Sequence, residues 1–261
     1  MNLSGGIMKF AKKILIFLIF IFIVVGCSSK EPPKKPAEEW LKEGTQYFQK
    51  KKYQKAAEAL ENAIIEAESP DLAAQAQLLL GDSYFLMKEY EQAIPSYKEY
   101  LNIYPDSPDA KRAMYRLGLC YYNQVDTVDR DLENAELALK TFTQLKEKYP
   151  DFAKENKVDK KIVELKNLLA EKELYVAKFY FRIKEPASAI KRLEYLVKNF
   201  KDTKAYPEGL IMLAESYVDK PDKAQEVVNL LTELAKTKEG MTYLGRISSV
   251  LAKLEKVISK K

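Results

Sequence analysis

Residues 78–105 read LLLGDSYFLMKEYEQAIPSYKEYLNIYP, and this stretch decides the fold. A small residue, Gly81, follows Leu80, with Tyr84 one turn on, then Tyr90, Ala93, Tyr97 and Pro105. Leu117, Gly118, Tyr121, Ala138, Phe142 and Pro150 follow the same order downstream, and Trp40, Gly44, Tyr47, Tyr53, Ala56, Leu60 and Ala63 follow it upstream. The three glycines are spaced by 37 residues and then by 37 again. A period of that size signals a stack of similar units. Each unit reads as a helix pair, in which glycine in the first helix and alanine in the second let the backbones approach. The aromatics fill the space between turns.

The pattern resembles the tetratricopeptide (TPR) repeat. A fourth unit is carried by Ala177, Tyr180, Ala189 and Leu193, with Phe200-Lys201 where its predecessors have Tyr-Pro. A fifth is carried by Leu213, Ala214, Tyr217, Ala224 and Val228, its turn shortened around Pro221. Leu244-Gly245 then opens a half-repeat, and Leu244, Ile247, Leu251, Leu254 and Ile258 recur at helical spacing. A terminal stack needs an end cover, so residues 237–261 are expected to be a capping helix. No alternating strand pattern interrupts these runs. The expected fold is all-α: a right-handed superhelical solenoid of about five TPR helix pairs over residues 37–236. Its N-terminal repeats occupy 37–150 and its C-terminal repeats 151–236.

Composition excludes most catalytic chemistry. The 261 residues include no histidine, which removes Ser-His-Asp and Cys-His nucleophile pairs and imidazole metal ligands. Two cysteines cannot build a thiolate zinc site. The formal charge of +5 comes from 43 Lys+Arg against 38 Asp+Glu. Residues 1–26 hold Lys9, Lys12 and Lys13 and no acid, so the remainder carries 40 against 38. A nearly neutral body of mixed charge is not a phosphate-tracking surface, and no nucleic acid, small-molecule substrate, metal or diffusible cofactor is expected. Among so many glutamates, no carboxylate pair of glycosidase type is singled out.

Residues 1–26 read as an address. Three lysines precede an unbroken apolar run from Ile14 to Val25. Such a run falls short of a bilayer core of about 30 Å but suits a secretory signal peptide. Met8 is a second candidate start, since Met1 to Ile7 adds nothing to the signal. The run ends in Val24-Val25-Gly26-Cys27-Ser28, which resembles the lipobox of bacterial lipoproteins. That resemblance implies a signal peptide over 1–26, with covalent diacylglycerol and a fatty acyl chain such as palmitate on Cys27. Several acyl chains on one residue hold a protein firmly at a membrane. Ser28, where the inner-membrane signal would have aspartate, resembles outer-membrane sorting. Residues 27–36, with Pro32, Pro33 and Pro36, read as an extended lipidated tether; at about 3.1 Å per residue it reaches roughly 25–30 Å. Cys120, within Leu117-Gly118-Leu119-Cys120-Tyr121, reads as a buried small hydrophobe.

Repeat three departs from its neighbours. Gly118 to Pro150 is 32 residues against 24 from Gly81 to Pro105, so about eight extra residues lie near Gln124 to Asp131. Asp126, Asp129 and Asp131 fall here without the order or turn glycine of a calcium loop. A polar loop that caps the next helix is expected.

Repeat stacks offer a long concave surface lined mainly by first helices. The repeat register places Leu41, Thr45 and Phe48, then Leu78, Asp82 and Phe85, then Tyr115, Leu119 and Tyr122 on it. Such a groove suits an extended or helical peptide anchored by aromatic and apolar groups.

A lipobox, a short tether and five TPR units together resemble the BamD family, lipoproteins of the β-barrel assembly machinery. The second half carries the more specific match: Leu169-Ala170, Glu173, Val176-Ala177, Phe179-Tyr180, Arg192, Phe200 and Asp202-Thr203. The likeness runs to about Ala235, with the tail beyond it. It implies a non-enzymatic scaffold, lipid-anchored in the outer membrane and facing the periplasm. Its N-terminal repeats would receive unfolded outer-membrane β-barrel proteins, and its C-terminal repeats would dock on the BamA barrel protein. Arg192 matches a family arginine implicated in that docking. The alternative is another periplasmic TPR lipoprotein scaffold, either a Tol-Pal and cell-division coordinator or a pilus-assembly protein. Coordinators of that kind carry a coiled coil ahead of their repeats, whereas here the repeats begin close behind Cys27. An enzyme with a helical-repeat body would need a second domain or a clustered polar site, and the sequence shows neither.

Overall fold

The computed structural model describes residues 35–259. The signal sequence, Cys27 and most of the tether lie outside the described residues. Within them every regular element is an α-helix, and none is long and apolar enough to cross a membrane. Five helix pairs succeed one another: α1 (Ala37–Gln49) with α2 (Tyr53–Ile65), α3 (Pro70–Met87) with α4 (Tyr90–Ile103), and α5 (Ala110–Tyr122) with α6 (Glu133–Lys148). After a short α7 (Pro150–Glu155), α8 (Val158–Arg182) pairs with α9 (Pro186–Asn199), and α10 (Tyr206–Glu215) with α11 (Pro221–Ala235). A single turn, α12 (Lys238–Met241), leads to α13 (Leu244–Ile258). The expected five TPR pairs and terminal helix are thus present, the tail being split in two around Thr242.

The repeated glycines act through what faces them. A methyl group on Gly44 would lie 2.6 Å from Leu60, on Gly81 2.9 Å from Tyr97, and on Gly118 2.5 Å from Phe142. Each pair joins the first helix of a repeat to its second, so the small residue and the bulky one interlock at one point of closest approach. Tyr97, Phe142 and Leu60 are fully buried. Each such side chain contributes about 1.5–3 kcal/mol through its removal from water. Ala177 and Ala214 take the glycine's place in repeats four and five and are also fully buried.

Successive repeats meet second helix to first: α2 on α3, α4 on α5, α6 on α8, α9 on α10 and α11 on α13. First helices also touch along one face, α1 on α3 and α3 on α5. The 25-residue α8 belongs to two cores. Its Val158, Leu165, Leu169 and Ala170 pack with Phe142 and Tyr121, while Ala177 packs with Leu193, Leu210 and Leu231. Over the last pair, α13 inserts Ile247, Val250 and Leu254, all nearly inaccessible to water.

Turns between paired helices follow the repeat as well. Lys51, Lys88 and Lys184 occupy the same place in their repeats, two turns beyond the small residue, and have φ of 58°, 65° and 61°. A left-handed residue there ends the first helix and reverses the chain.

Candidate interaction surface

The first-helix face of repeats one to three holds the residues the register singled out. Leu41, Thr45 and Phe48 on α1, Phe85 on α3, and Tyr115, Leu119 and Tyr122 on α5 are half-buried, each with part of its side chain open to solvent. Leu78 and Asp82 lie deeper, only 8% and 3% exposed. They support the groove from beneath and do not line it. The Thr45 hydroxyl donates to the Leu41 carbonyl at 2.7 Å, which leaves its methyl as the surface group.

Asp82 is buried because two arginines of the next repeat close over it. The Tyr97 hydroxyl donates to its Oδ1 at 2.7 Å, Arg112 pairs with its Oδ2, and Arg116 Nε stands 3.9 Å from Oδ1. A carboxylate out of water needs such partners, since an unpaired buried charge is strongly destabilising. Arg112 also reaches Asp109 at 3.3 Å. Burial and the facing Asp82 charge push the Tyr97 hydroxyl far above its ordinary range, so it stays a donor at every physiological pH. Sequence reasoning missed both arginines. Their signal is an acid directly after the repeat glycine and a cation at the start of the next repeat's first helix. Repeats four and five use the same two places with signs reversed, joining Lys178 to Glu208 at 3.9 Å.

Aromatic rings along this face carry cations. The Arg116 guanidinium sits 4.5 Å from the Phe85 ring centre, and Lys161 Nζ 4.6 Å from that of Tyr122. Phe48 and Phe85 each meet the first tyrosine of the following helix edge-on, at 5.5 Å from Tyr53 and 5.7 Å from Tyr90. Tyr122 has no tyrosine at the start of the next helix to meet, because the insertion begins there, and stands edge-on to Phe142 at 6.3 Å. Its hydroxyl bonds Glu164 of α8, and this bond with burial raises its pKa to about 12. Tyr115 stands edge-on to Phe152 at 5.9 Å. The outcome is an aromatic strip edged by positive charge, suited to an extended chain with apolar side chains.

Arg192 lies elsewhere, on α9, 48% exposed at its side chain and 3.4 Å from both carboxylate oxygens of Glu173. Burial raises the Glu173 pKa and Arg192 opposes that shift. The pair borders a cleft of about 770 Å³ whose walls include Asp129, Glu136, Lys172 and Tyr195. Its outer wall is the insertion of repeat three, fastened by Lys172 Nζ donating to the Arg130 carbonyl at 2.7 Å. The insertion's aspartates serve its own turn. Asp126 accepts from the Thr127 amide at 3.0 Å, Asp129 from the Thr127 hydroxyl at 2.6 Å, and Asp131 from the Glu133 amide at the start of α6 at 3.0 Å. Among the described residues no cluster of acids and thiols is placed to hold a metal. Tyr175 and Phe179 on α8 and Ile183 just past its end are exposed apolar side chains four residues apart, and Tyr195 on α9, in the cleft wall, is half exposed. Cys120 is wholly buried, and burial raises its thiol pKa to about 12, so it is chemically inert filler.

The YfiO family, described as an outer membrane lipoprotein, matches residues 33–228. The outer membrane protein assembly factor BamD of Rickettsia prowazekii is 30% identical over 214 residues, 81% of this chain and 85% of that protein. BamD of Haemophilus influenzae is 26% identical over 217 residues, 78% of this chain and 83% of its own length. Among solved structures, a thermophilic TPR protein of Thermus thermophilus matches at 19% identity and a TM-score of 0.35, over 83% of this chain and 99% of its own.

Proposed function

This chain belongs to the YfiO family of outer membrane lipoproteins, and on that premise we propose that it is a non-enzymatic scaffold of the β-barrel assembly machinery. The observation that carries the reading is the extent of the match: it runs from the first helix pair into the fifth, through the α8–α9 region around Arg192. In this role Cys27 carries the lipid anchor and holds the chain at the outer membrane, facing the periplasm. The strip from Phe48 to Tyr122 receives unfolded outer-membrane proteins, whose apolar and aromatic side chains have a matching surface there. Arg192 and the exposed stripe on α8 dock on the BamA barrel protein. A half-exposed guanidinium held by one weakly placed carboxylate can exchange that partner for an acid on another protein.

Depletion of the protein tests the role. Folded outer-membrane barrels, counted by their heat-dependent gel mobility, should fall while periplasmic proteins hold their level; unchanged barrels would contradict it. The anchor has its own test. Cys27→Ser should move the protein from the membrane to the soluble fraction, and continued membrane association would count against lipidation.

A further inference from the structure

First helices have a second face besides the one that meets their own partner. It is formed by the residues two before, two after and six after the small residue, and it turns toward the second helix of the preceding repeat. At α3 these places hold Leu79, Ser83 and Met87. Ser83 is fully buried, while Leu79 and Met87 pack on the cluster to which α2 gives Ala57, Leu60 and Ala63. At α13 they hold Tyr243, Ile247 and Leu251, which share a core with Leu231 and Leu234 of α11. α1 has no helix before it among the described residues, and there the same places are Lys42, Gln46 and Lys50, all exposed.

Repeat four departs from both cases. Its small residue is Ala177, so the three places fall on Tyr175, Phe179 and Ile183, which are 44%, 44% and 50% exposed. The open face is polar at α1 and apolar here. The length of α8 is the cause. Lys172 already reaches the Arg130 carbonyl, in the loop before α6 begins at Glu133, so the rest of α8 runs on past its predecessor. Tyr180, edge-on to Phe179 at 5.8 Å, continues the open face to a recess of about 360 Å³ on α9, lined by Ser188, Lys191, Arg192 and Tyr195. Arg182 stands on the other flank, 5.9 Å from the Phe179 ring centre. Of these three rim cations only Arg192 has an acid within ion-pair distance among the described residues, Glu173 at 3.4 Å.

We propose that this open face seats an acidic amphipathic helix of a partner protein, in the place of the second helix that α8 outruns. The apolar side of that helix meets Tyr175, Phe179 and Ile183, which span about 12 Å at 1.5 Å per residue, a little over two turns. Its acids flank that side, toward Arg182 on one edge and toward Lys191 and Arg192 on the other. Large apolar side chains in a row within a charged rim have the form of an interaction patch, unlike singly exposed ones. This inference rests on the docking role proposed for the α8–α9 region and names the kind of element that the face receives.

Site-specific photo-crosslinking of the full chain in living cells reads the shape of the occupant. A photoreactive residue replaces Tyr175, Phe179 or Ile183, one at a time, and mass spectrometry locates the joined residue on the partner. The three adducts should fall in one segment, three or four residues apart from each position to the next, with Asp or Glu on both sides of that line. Adducts at every second residue, adducts scattered over several loops, adducts to lipid alone, or none at all overturn the helix. Phe179→Lys alters a side chain that is already exposed, so it should leave the melting temperature unchanged and lower recovery of the partner roughly tenfold. Unchanged recovery overturns the seat. A helical segment in a BamA-type barrel protein supports the seat and the docking role together. A helical segment in another protein supports the seat and removes the docking role. Recovery of the barrel protein without helical adducts does the reverse.

Discussion

Glycine carries opposite meanings at two positions of this chain. At Gly118 a β-carbon would lie 2.5 Å from Phe142, which is fully buried and has nowhere to move. Gly118→Ala should therefore lower stability by about 1–3 kcal/mol despite alanine's better helix propensity. Gly245 in α13 has nothing within 4 Å of that point. Gly245→Ala should accordingly raise stability by roughly 0.5 kcal/mol. Urea titration of the two variants decides both. Cys120 gives a pH dependence. Its folded pKa of about 12 stands above that of an unfolded thiol near 9, so the folded chain keeps a proton that the unfolded chain releases. Stability is complete below pH 9 and declines as pH rises toward 12. The melting temperature should drop across that window, and less steeply in Cys120→Ala. The glycine spacing and the buried cysteine were legible because each follows from residue type and period alone. Arg112 and Arg116 were missed, since their partner Asp82 lies in another repeat and the link shows only when the registers of neighbouring repeats are compared.

Helices and turns show where the period helps and where it fails. Lys88 adopts φ 65° and ψ 20° between α3 and α4. A β-carbon is crowded in that left-handed region. Lys88→Gly should stabilise the fold by up to about 1 kcal/mol, the gain being limited by glycine's freedom in the unfolded chain; thermal unfolding reads it out. Scarcity of glycine in the sequence concealed these turns, since left-handed positions are usually sought at Gly or Asn. The pairing of α1 through α6 could be read from Tyr, Ala and Pro positions. The length of α8 could not. Val158 to Arg182 contains no breaker, but only packing decides that its first half completes the core around Phe142 and its second half the core around Leu193. The loop with Asp126, Asp129 and Asp131 was legible as an insertion. That it forms one wall of the Arg192 cleft follows from Lys172 holding the Arg130 carbonyl, a contact between elements far apart in the chain.

At the scale of the whole molecule, a stack of five pairs ends on a helix that faces water on its far side. α13 buries Ile247, Val250 and Leu254 against α10 and α11. Removal of residues 237–261 would open Val227 and Leu231, now almost fully buried, to solvent. The truncated chain should melt lower and associate as concentration rises, which light scattering during a thermal ramp would show. On the proposed function, the cation-edged aromatic strip of repeats one to three would hold one partner and the Arg192 cleft another. In that function the Arg192 face joins this chain to the β-barrel assembly machinery. Affinity purification from detergent-solubilised membranes tests it most directly. The unaltered protein should bring down a BamA-type barrel protein, and Arg192→Glu should lose most of it while melting at a similar temperature. Recovery of Tol-Pal or pilus-assembly proteins alone, with no barrel protein, would contradict the account.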